Sequence, residues 1–274
     1  MAQKKNKQHE LEILVCLKPV PDPKRWDKLK LDPETMLLNR SQVPPVINAL
    51  DLNALEQALL LKEQSGAHIT AITMAPPDGQ DQLKEALAMG CDRAYLLTDK
   101  AFAGADTLAT ARCLAAAIKK IGNFDLIFCG AYSLDGSTSQ VGPQIAELLD
   151  IPDLTHVIKL QVENQTLRVE CKTESADIVF ESELPALVTF DKEINQPRLP
   201  GMAGIRRAKD IEVFSWNAQD LELTPESIGL KGSPTQMLNV FTPTIGRKGE
   251  ILQGSVTELT TSLISKLRGE KLLN

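Results

Sequence analysis

The strongest constraint on the fold is the alternation of short apolar runs with segments of helical periodicity in the first 150 residues. The apolar runs cover residues 11–17, 68–74, 93–99 and 125–130. They are nearly continuous, as strands buried on both faces are. The segments with helical spacing cover residues 52–66, 80–90, 106–122 and 139–150. Strands that alternate with helices of this length pair in parallel through right-handed crossovers. We therefore predict an α/β fold with a doubly wound, mostly parallel, Rossmann-like sheet.

The pattern changes after residue 153. Three alternating runs follow one another without a helix between them, at 155–163, 166–173 and 176–183. Such a series predicts an antiparallel meander, and a further apolar run at 184–191 is expected to return to the main sheet. Residues 217–254 have too little clustered apolar content to build a second core, and a helix is predicted at 256–269. The predicted organisation is a polar leader at 1–10, an α/β domain at 11–215 and an extended C-terminal arm at 216–274.

Composition narrows the possible functions. The chain has 30 Lys and Arg against 36 Asp and Glu, a formal net charge of −6, which argues against binding to nucleic acid or anionic lipid. The polar, lysine-rich start does not resemble a signal peptide, and no apolar run reaches the roughly 18–20 residues that span a bilayer. Five scattered cysteines without a CxxC pair indicate buried thiols in a reducing compartment. We expect a cytoplasmic protein without membrane insertion.

The best candidate for a ligand site is the segment 130–149, which leaves a predicted strand and enters a helix. It contains Gly130 and Gly136 and reaches the helix through Ser137, Thr138, Ser139 and Gln140. Small residues let the backbone approach a phosphate, and the free N–H groups of a helix start supply partial positive charge. The alternative is an ordinary capped loop, because serine and threonine precede many helices. The residues alone leave both interpretations open.

Other motifs are absent. The chain has no G-x-G-x-x-G after the first strand and no GxxxxGK[ST] loop, so neither a dinucleotide fingerprint nor a P-loop is indicated. The histidines, His9, His68 and His156, are predicted to be solvated or structural. No catalytic residue and no metal site is predicted. A nucleotide-binding domain without a general acid or base suits a bound redox cofactor better than hydrolysis.

Several segments together resemble the β subunit of an electron transfer flavoprotein, in order from about residue 11 to 215. They are 14–22 (LVCLKPVPD), 48–63, 85–97, 125–152 (with GAYSLDGSTSQVGPQIAELL) and 184–213 (with DKEINQPRLPGMAGIRRAKD). The resemblance implies a heterodimer with a larger α subunit, an adenine-nucleotide-binding α/β domain and a C-terminal arm that contacts the partner. Compared with a minimal member of the family, the chain has an extra polar leader at 1–10 and a longer, charged loop at 23–40. We assign this loop no role.

The resemblance also implies which residues hold the nucleotide. Those carried over are Cys16, Asn48, Ala49, Leu50, Asp51, Met74 and the stretch from Gly130 to Val141, including Asp135, with the phosphates on Gly136, Ser137, Thr138, Ser139 and Gln140. In simpler members the nucleotide is a structural AMP, and in electron-bifurcating members the pocket holds the ADP half of a second FAD. For Cys16 and Met74 the alternative is buried packing.

The segments 18–23 (KPVPDP) and 101–111 (AFAGADTLATA) are similar to those of the bifurcating members. This favours FAD as the cofactor and NAD(H) as a substrate: NADH gives a hydride to the FAD of this subunit, one electron goes to ferredoxin and the other to the α-subunit FAD that serves a dehydrogenase. The flavin-side candidates are Lys18, Val20, Gly104, Asp106 and Thr107. The alternatives are a helix cap at Asp106 and Thr107, a nonbifurcating subunit with AMP, and a lone nucleotide-sensing module of the stress-protein type.

A second surface corresponds to the family's recognition loop for the client dehydrogenase, at 191–201. Ile194 is predicted to be an exposed apolar anchor. The other predicted partner-binding residues are Glu193, Asn195, Pro197 and Arg198. The alternative is that the prolines only stiffen a connection.

Overall fold

The computed structural model describes residues 10–28, 30–31, 38–39, 43–236 and 249–273. The predicted leader, apart from Glu10, and parts of the loop 23–40 and of the arm lie outside these residues. The chain divides into two compact units, residues 1–237 and 238–274. In the second unit the described structure is one helix, whose N-terminus is closed by a capping box between Ser255 and Glu258.

The strands confirm the predicted alternation in the first half of the chain. In chain order they are β1 (Glu12–Cys16), β2 (Pro19–Pro21), β3 (Lys30–Leu31), β4 (Leu38–Asn39), β5 (Pro45–Ile47), β6 (His68–Met74), β7 (Arg93–Leu97), β8 (Leu126–Gly130), β9 (Asp153–Glu163), β10 (Thr166–Lys172), β11 (Asp177–Glu183), β12 (Ala186–Phe190) and β13 (Val213–Trp216).

The helices lie between and after these strands. They are α1 (Ala49–Ser65), α2 (Gln80–Met89), α3 (Thr107–Ile121), α4 (Val141–Leu149), α5 (Met202–Asp210) and α6 (Val256–Gly269). Short 3-10 helices cover Pro23–Lys28, Pro77–Gly79, Lys100–Phe102 and Lys192–Ile194. No helix in the described part of the chain is long and apolar enough to cross a membrane.

Nine strands form one sheet in the order β11-β10-β9-β12-β8-β1-β6-β7-β13, and two short strand pairs, β2-β5 and β3-β4, lie outside it. Within the nine-stranded sheet of the described residues, only β9-β10 and β10-β11 are antiparallel, so both the doubly wound parallel sheet and the meander are confirmed. The run at 184–191 returns to the sheet as β12, as predicted. From β1 the chain adds β6 and β7 on one side and β8 on the other. The order therefore reverses between β1 and β8, and ligands of such sheets bind at the carboxyl ends of the strands at this point.

Aliphatic side chains cover both faces of the sheet. Ile13 and Val15 of β1 belong to the core shared with α1 and α2, whereas Leu14 and Cys16 belong to the core shared with α3 and α4. This alternation explains the unbroken apolar run of the strand, since every residue is buried on one side or the other. All five cysteines are free and buried, as predicted. Burial raises the pKa of Cys91 to about 12, so this thiol stays protonated.

Three elements differ from the sequence prediction. Helix α1 begins at Ala49, so Ala49, Leu50 and Asp51 form its first turn and do not precede the helix. Helix α5 and strand β13 occupy a segment for which no regular structure was predicted, and β13 pairs in parallel with β7 at the edge of the sheet. The predicted domain boundary after residue 215 falls inside the first unit, because Leu221 and Ile228 are buried in its core.

Candidate functional site

The carboxyl ends of β1, β8 and β6 bring the predicted nucleotide residues to one edge of the sheet. Strand β1 ends at Cys16, β8 at Gly130 and β6 at Met74, and β1 lies between the other two strands. The Cys16 side chain is buried, and that of Met74 is partly buried against the core shared with α3 and α4. Both are therefore packing residues, whichever ligand their backbone contacts.

Asp51 joins three elements at this edge. Its carboxylate accepts the backbone N–H of Lys18 at 2.7 Å, the backbone N–H of Gly130 at 3.0 Å and the side-chain amide of Asn48 at 3.1 Å. Burial raises the pKa of Asp51 to about 6, although these hydrogen bonds favour the charged form. The carboxylate thus fixes the ends of β1 and β8 to the start of α1.

Asn48 fixes the loop that follows β8. Its side-chain amide donates to the carbonyl of Tyr132 at 2.9 Å, and its side-chain oxygen accepts the backbone N–H of Leu134 at 3.2 Å. Its backbone N–H donates to the carbonyl of Lys18 at 2.9 Å. Asn48 is fully buried, so it holds the loop from the protein interior and leaves the outer surface of the loop exposed to solvent.

Gly130 is required by the close approach of α1 to β8. A Cβ atom at this position would lie 2.4 Å from the nearer carboxylate oxygen of Asp51 and 2.7 Å from the Cβ of Leu50. Any larger residue would therefore push α1 away from the strand. Ala49 in the same turn is exposed.

The loop from Gly136 to Gln140 is exposed along its whole length. Ser137 and Ser139 have left-handed backbone conformations, with φ values of 49° and 54°. Left-handed residues are typical of the short backbone turns whose N–H groups bind anions, and in this loop the N–H of Ser137 donates to the carbonyl of Ser133 at 2.9 Å. The side chain of Gln140 does not cap the helix α4 that begins at Val141. The loop and the helix start can therefore receive a phosphate group.

A cation lies next to this loop. The ammonium group of Lys18 is 2.6 Å from the carboxylate of Asp135 and 2.9 Å from the hydroxyl of Ser133. A Cβ atom on Gly136 would lie 3.7 Å from the same ammonium nitrogen. Lys18 and Asp135, both predicted from the sequence, thus form an ion pair at the rim of the loop. Val20 is buried in β2, where it pairs with Val46 of β5, so its side chain faces the protein interior.

The two predicted halves of the site meet through one hydrogen bond. The hydroxyl of Thr107, the first residue of α3, donates to the side-chain oxygen of Gln140 at 3.0 Å. The flavin-side segment, residues 104–107, therefore lies next to the predicted phosphate loop, residues 136–140, at the carboxyl ends of the strands. The sequence places them 33 positions apart, and only the order of α3 and α4 on the sheet brings them together.

Asp106 is the N-cap of α3. Its carboxylate accepts the backbone N–H of Ala109 at 2.9 Å and the backbone N–H of Thr235 at 2.9 Å. Its own N–H donates to the hydroxyl of Ser233 at 2.8 Å. Gly104, with φ of 72°, lies against Leu230 of the same segment. The contact of residues 230–235 with the flavin-side segment was missed, because no local pattern in the sequence links them.

The recognition loop is held by its polar side chains. The guanidinium of Arg198 binds the carboxylate of Glu56, at 2.8 Å for the closest pair, and that of Glu63. The side-chain amide of Asn195 donates to the carbonyl of Asn53 at 3.0 Å, and Asn53 donates back to the carbonyl of Asn195 at 2.9 Å. Both side chains therefore bind residues of α1, and their role toward a partner stays a prediction.

The loop around Ile194 also contacts the rest of the chain. Ile194 is partly buried and packs against the main core, so it is less exposed than expected, and its role as an anchor for a partner stays a prediction. Glu193 forms an ion pair with Lys172 of β10 at 2.6 Å, and Pro197 is partly buried. Packing of this kind cannot be foreseen from the loop sequence, because the residues that cover Ile194 are distant in the chain.

Among the described residues, no group of three or more His, Cys, Asp or Glu side chains could hold a metal ion. His156 is 2.9 Å from the carboxylate of Asp191, and His68 is 3.4 Å from that of Glu10, so both have structural partners. His9 lies outside the described residues.

Comparisons with known proteins agree with the resemblance noted in the sequence. A profile described as "Electron transfer flavoprotein domain" matches residues 35–221. The chain is 44% identical to electron transfer flavoprotein subunit beta of Thermoanaerobacterium thermosaccharolyticum, over 96% of this chain and 100% of that one. It is 42% identical to caffeyl-CoA reductase-Etf complex subunit CarD of Acetobacterium woodii, with the same coverage. It is 39% identical to acryloyl-CoA reductase electron transfer subunit gamma of Anaerotignum propionicum, over 94% of this chain and 98% of that one.

Proposed function

This chain belongs to the electron transfer flavoprotein family as a β subunit, and we propose that it binds FAD in the pocket at the carboxyl edge of β1 and β8. In this proposal the ADP half of FAD occupies the site that holds AMP in simpler members. The observation that carries the proposal is the Thr107–Gln140 hydrogen bond, because it joins the phosphate loop to the flavin-side segment in one site.

The residues present fit such a group. Gly136 to Gln140 offer exposed backbone next to the start of α4, which would hold the diphosphate, and Lys18 adds a cation at the rim. Asn48 and Asp51 keep this backbone in place from the buried side. When bound, FAD would supply the redox chemistry for oxidising NADH and for passing electrons to ferredoxin and to the FAD of the α subunit.

The other parts of the proposal concern the partners. The arm at 216–274 contacts the α subunit, and the heterodimer serves a dehydrogenase in the cytoplasm. The names of the two relatives in CoA-reductase systems support a CoA-ester reductase as this client. We place the client's binding surface near residues 191–201.

A second candidate is a nonbifurcating subunit with structural AMP in the same pocket. One observation favours it: Gly104 and Asp106 contact residues 230–235 of their own chain, so these two residues have protein partners. In that case the subunit passes electrons between a dehydrogenase and an acceptor and does not react with NADH.

An anaerobic titration with NADH separates the two candidates. The heterodimer, coexpressed with its α subunit, is titrated while the absorbance near 450 nm is recorded. We expect NADH to bleach the flavin absorbance within the mixing time. Flavin that stays oxidised in excess NADH but is bleached by dithionite would contradict the FAD proposal and favour the AMP candidate.

A further inference from the structure

Two buried thiols lie side by side at the edge of the sheet that carries the candidate site. Strands β1 and β8 pair in parallel, with Val15 opposite Phe128. The next residue on each strand is a cysteine, Cys16 on β1 and Cys129 on β8, and both belong to the core shared with α3 and α4. The two side chains therefore leave the sheet on the same face at matching positions.

The spacing of these two positions suits a disulfide bond. Neighbouring strands of a sheet lie about 4.8 Å apart, and cysteines joined by a disulfide have Cα atoms roughly 4.4–6.8 Å apart. The backbone that follows is fixed, because the Asp51 carboxylate accepts the N–H of Lys18 at 2.7 Å and that of Gly130 at 3.0 Å. A bond between Cys16 and Cys129 can therefore form at the spacing that the sheet already sets.

The two thiols also interact with each other. The hydrogen bond with Cys16, burial, and negative charge on Cys16 and on Asp51 raise the pKa of Cys129 well above its ordinary value. Cys129 therefore keeps its proton. Because the thiolate is the form of cysteine that acts as a nucleophile, Cys16 is the sulfur of the pair that reacts first, and Cys129 is the second thiol.

The pair lies close to solvent at the candidate site. Cys16 is 8% exposed and Cys129 is 6% exposed. The start of α4 lies over Cys129, since a Cβ atom on Gly142 would be 3.9 Å from the Cβ of Cys129. The residues between Gly130 and α4 include the exposed loop 136–140. A small oxidant such as hydrogen peroxide can reach the sulfur atoms from this side.

We propose that Cys16 and Cys129 form a redox-active dithiol that hydrogen peroxide converts to a disulfide. The Cys16 thiolate attacks one oxygen of the peroxide: the S–O bond forms, the O–O bond breaks, and the departing hydroxide becomes water with the proton that the Cys16 thiol has lost. The Cys129 sulfur then attacks the sulfur of this sulfenic acid: the S–S bond forms, the S–O bond breaks, and hydroxide leaves as water with the proton of Cys129. Two thiols are oxidised, and one peroxide is reduced to two waters.

This modification acts on the candidate site through its backbone. The disulfide joins the strand ends that lead to Lys18 and Gly130, whose N–H groups are held by Asp51. A thiol reductant restores the two thiols by exchange, so this edge of the sheet can pass between two covalent states. The inference does not depend on which nucleotide the site holds.

The test uses the heterdimer formed by coexpression with the α subunit. The protein is treated with a molar excess of hydrogen peroxide, denatured in N-ethylmaleimide and digested without reduction, and the peptides are identified by mass spectrometry. We expect a linked pair of peptides that joins Cys16 to Cys129 and that dithiothreitol separates. The matched control is Cys91→Ala, because Cys91 is also buried but belongs to the core shared with α1 and α2. It should give the same yield of the linked pair.

Two further variants test the order of the steps. Cys129→Ala removes the second thiol, so the sulfenic acid at Cys16 should persist and react with dimedone. Cys16→Ala removes the nucleophile, and Cys129 should then stay unlabelled by dimedone. Equal dimedone labelling of Cys129 in the Cys16→Ala variant would contradict the role given to Cys16.

The wild-type result decides the proposal even if a variant fails to fold. Recovery of both thiols as N-ethylmaleimide adducts after peroxide treatment would overturn it. A sulfinic acid at Cys16 beside an unmodified Cys129 would overturn it too, because the second thiol would then not reach the first. So would a disulfide from either thiol to Cys113, which lies on α3 in the same core.

Discussion

At the scale of residues, the site depends on buried polar groups whose hydrogen-bond partners cannot be predicted from the sequence. Asn48 and Asp51 were predicted from the resemblance, and nothing in their local pattern shows that they bind Lys18, Gly130, Tyr132 and Leu134. The partners on β8 and in its loop follow about 80 positions later. Buried hydrogen bonds of this kind are long-range properties of the fold, so a sequence pattern identifies the residues without their roles.

Gly130→Ala tests the close approach of α1 to β8. The added methyl group meets the carboxylate of Asp51 and Leu50, so we expect the free energy of unfolding to fall by about 1–3 kcal/mol. Nucleotide affinity should fall with it, because α1 carries Asn48 and Asp51. Urea denaturation measures the first effect. Gly269→Ala is the control, since nothing lies within 4 Å of its added Cβ, and an equal loss there would count against this explanation.

Asp51 predicts a specific pH dependence of stability. Its pKa is about 6 in the folded protein, above the ordinary value of 3.8, so the folded state binds the proton more tightly than the unfolded state. The contribution of Asp51 is therefore largest at low pH and is lost as the pH rises through 6. The stability of the wild type relative to Asp51→Asn should fall by roughly 1–3 kcal/mol between pH 4.5 and 7.5. Urea denaturation of both proteins at several pH values measures this difference in stability. A difference that is constant or grows with pH would refute the prediction.

At the scale of elements, the strongly periodic segments were predicted correctly and the weakly patterned ones were not. Strands β1, β6, β7 and β8 follow from unbroken apolar runs. Strand β13 is four residues long with two of them exposed, so it lacks that signal and exists because β7 offers a free edge. Helix α5 depends on the close approach of Gly204 to α2 and on the hydrogen bond from Lys84 of α2 to the carbonyl of Ala208. A basic, glycine-containing sequence does not indicate these contacts.

The start of α3 provides the prediction at this scale. Asp106→Ala with Thr107→Ala removes the N-cap and the bond to Gln140, and we expect the flavin of the β site to be lost while the α-subunit flavin stays. The loss of the cap costs about 1 kcal/mol. FAD content and melting temperature are measured together. Asp106→Asn with Thr107 intact keeps both interactions and should retain both flavins. Full occupancy in the double alanine variant would exclude this site.

At the scale of the whole molecule, the reversal of strand order between β1 and β8 determines where function can lie. The sheet places Lys18, the phosphate loop and the start of α3 at one edge, whereas the recognition loop and α5 lie against α1 and α2. The proposed nucleotide site and the proposed client surface therefore lie at separate places. The nucleotide surface was predicted from the loop of small and polar residues at 136–140. The sequence did not show that Ile194 is partly buried, because the core residues that Ile194 packs against are distant in the chain.

The most direct test of the nucleotide assignment is the cofactor content of the purified heterodimer. The chain is coexpressed with its α subunit, the protein is denatured, and the released FAD and AMP are quantified by liquid chromatography per mole of heterodimer. We predict two FAD and no AMP. One FAD with one AMP would contradict the account and assign the pocket at Gly136 to Gln140 to a structural nucleotide.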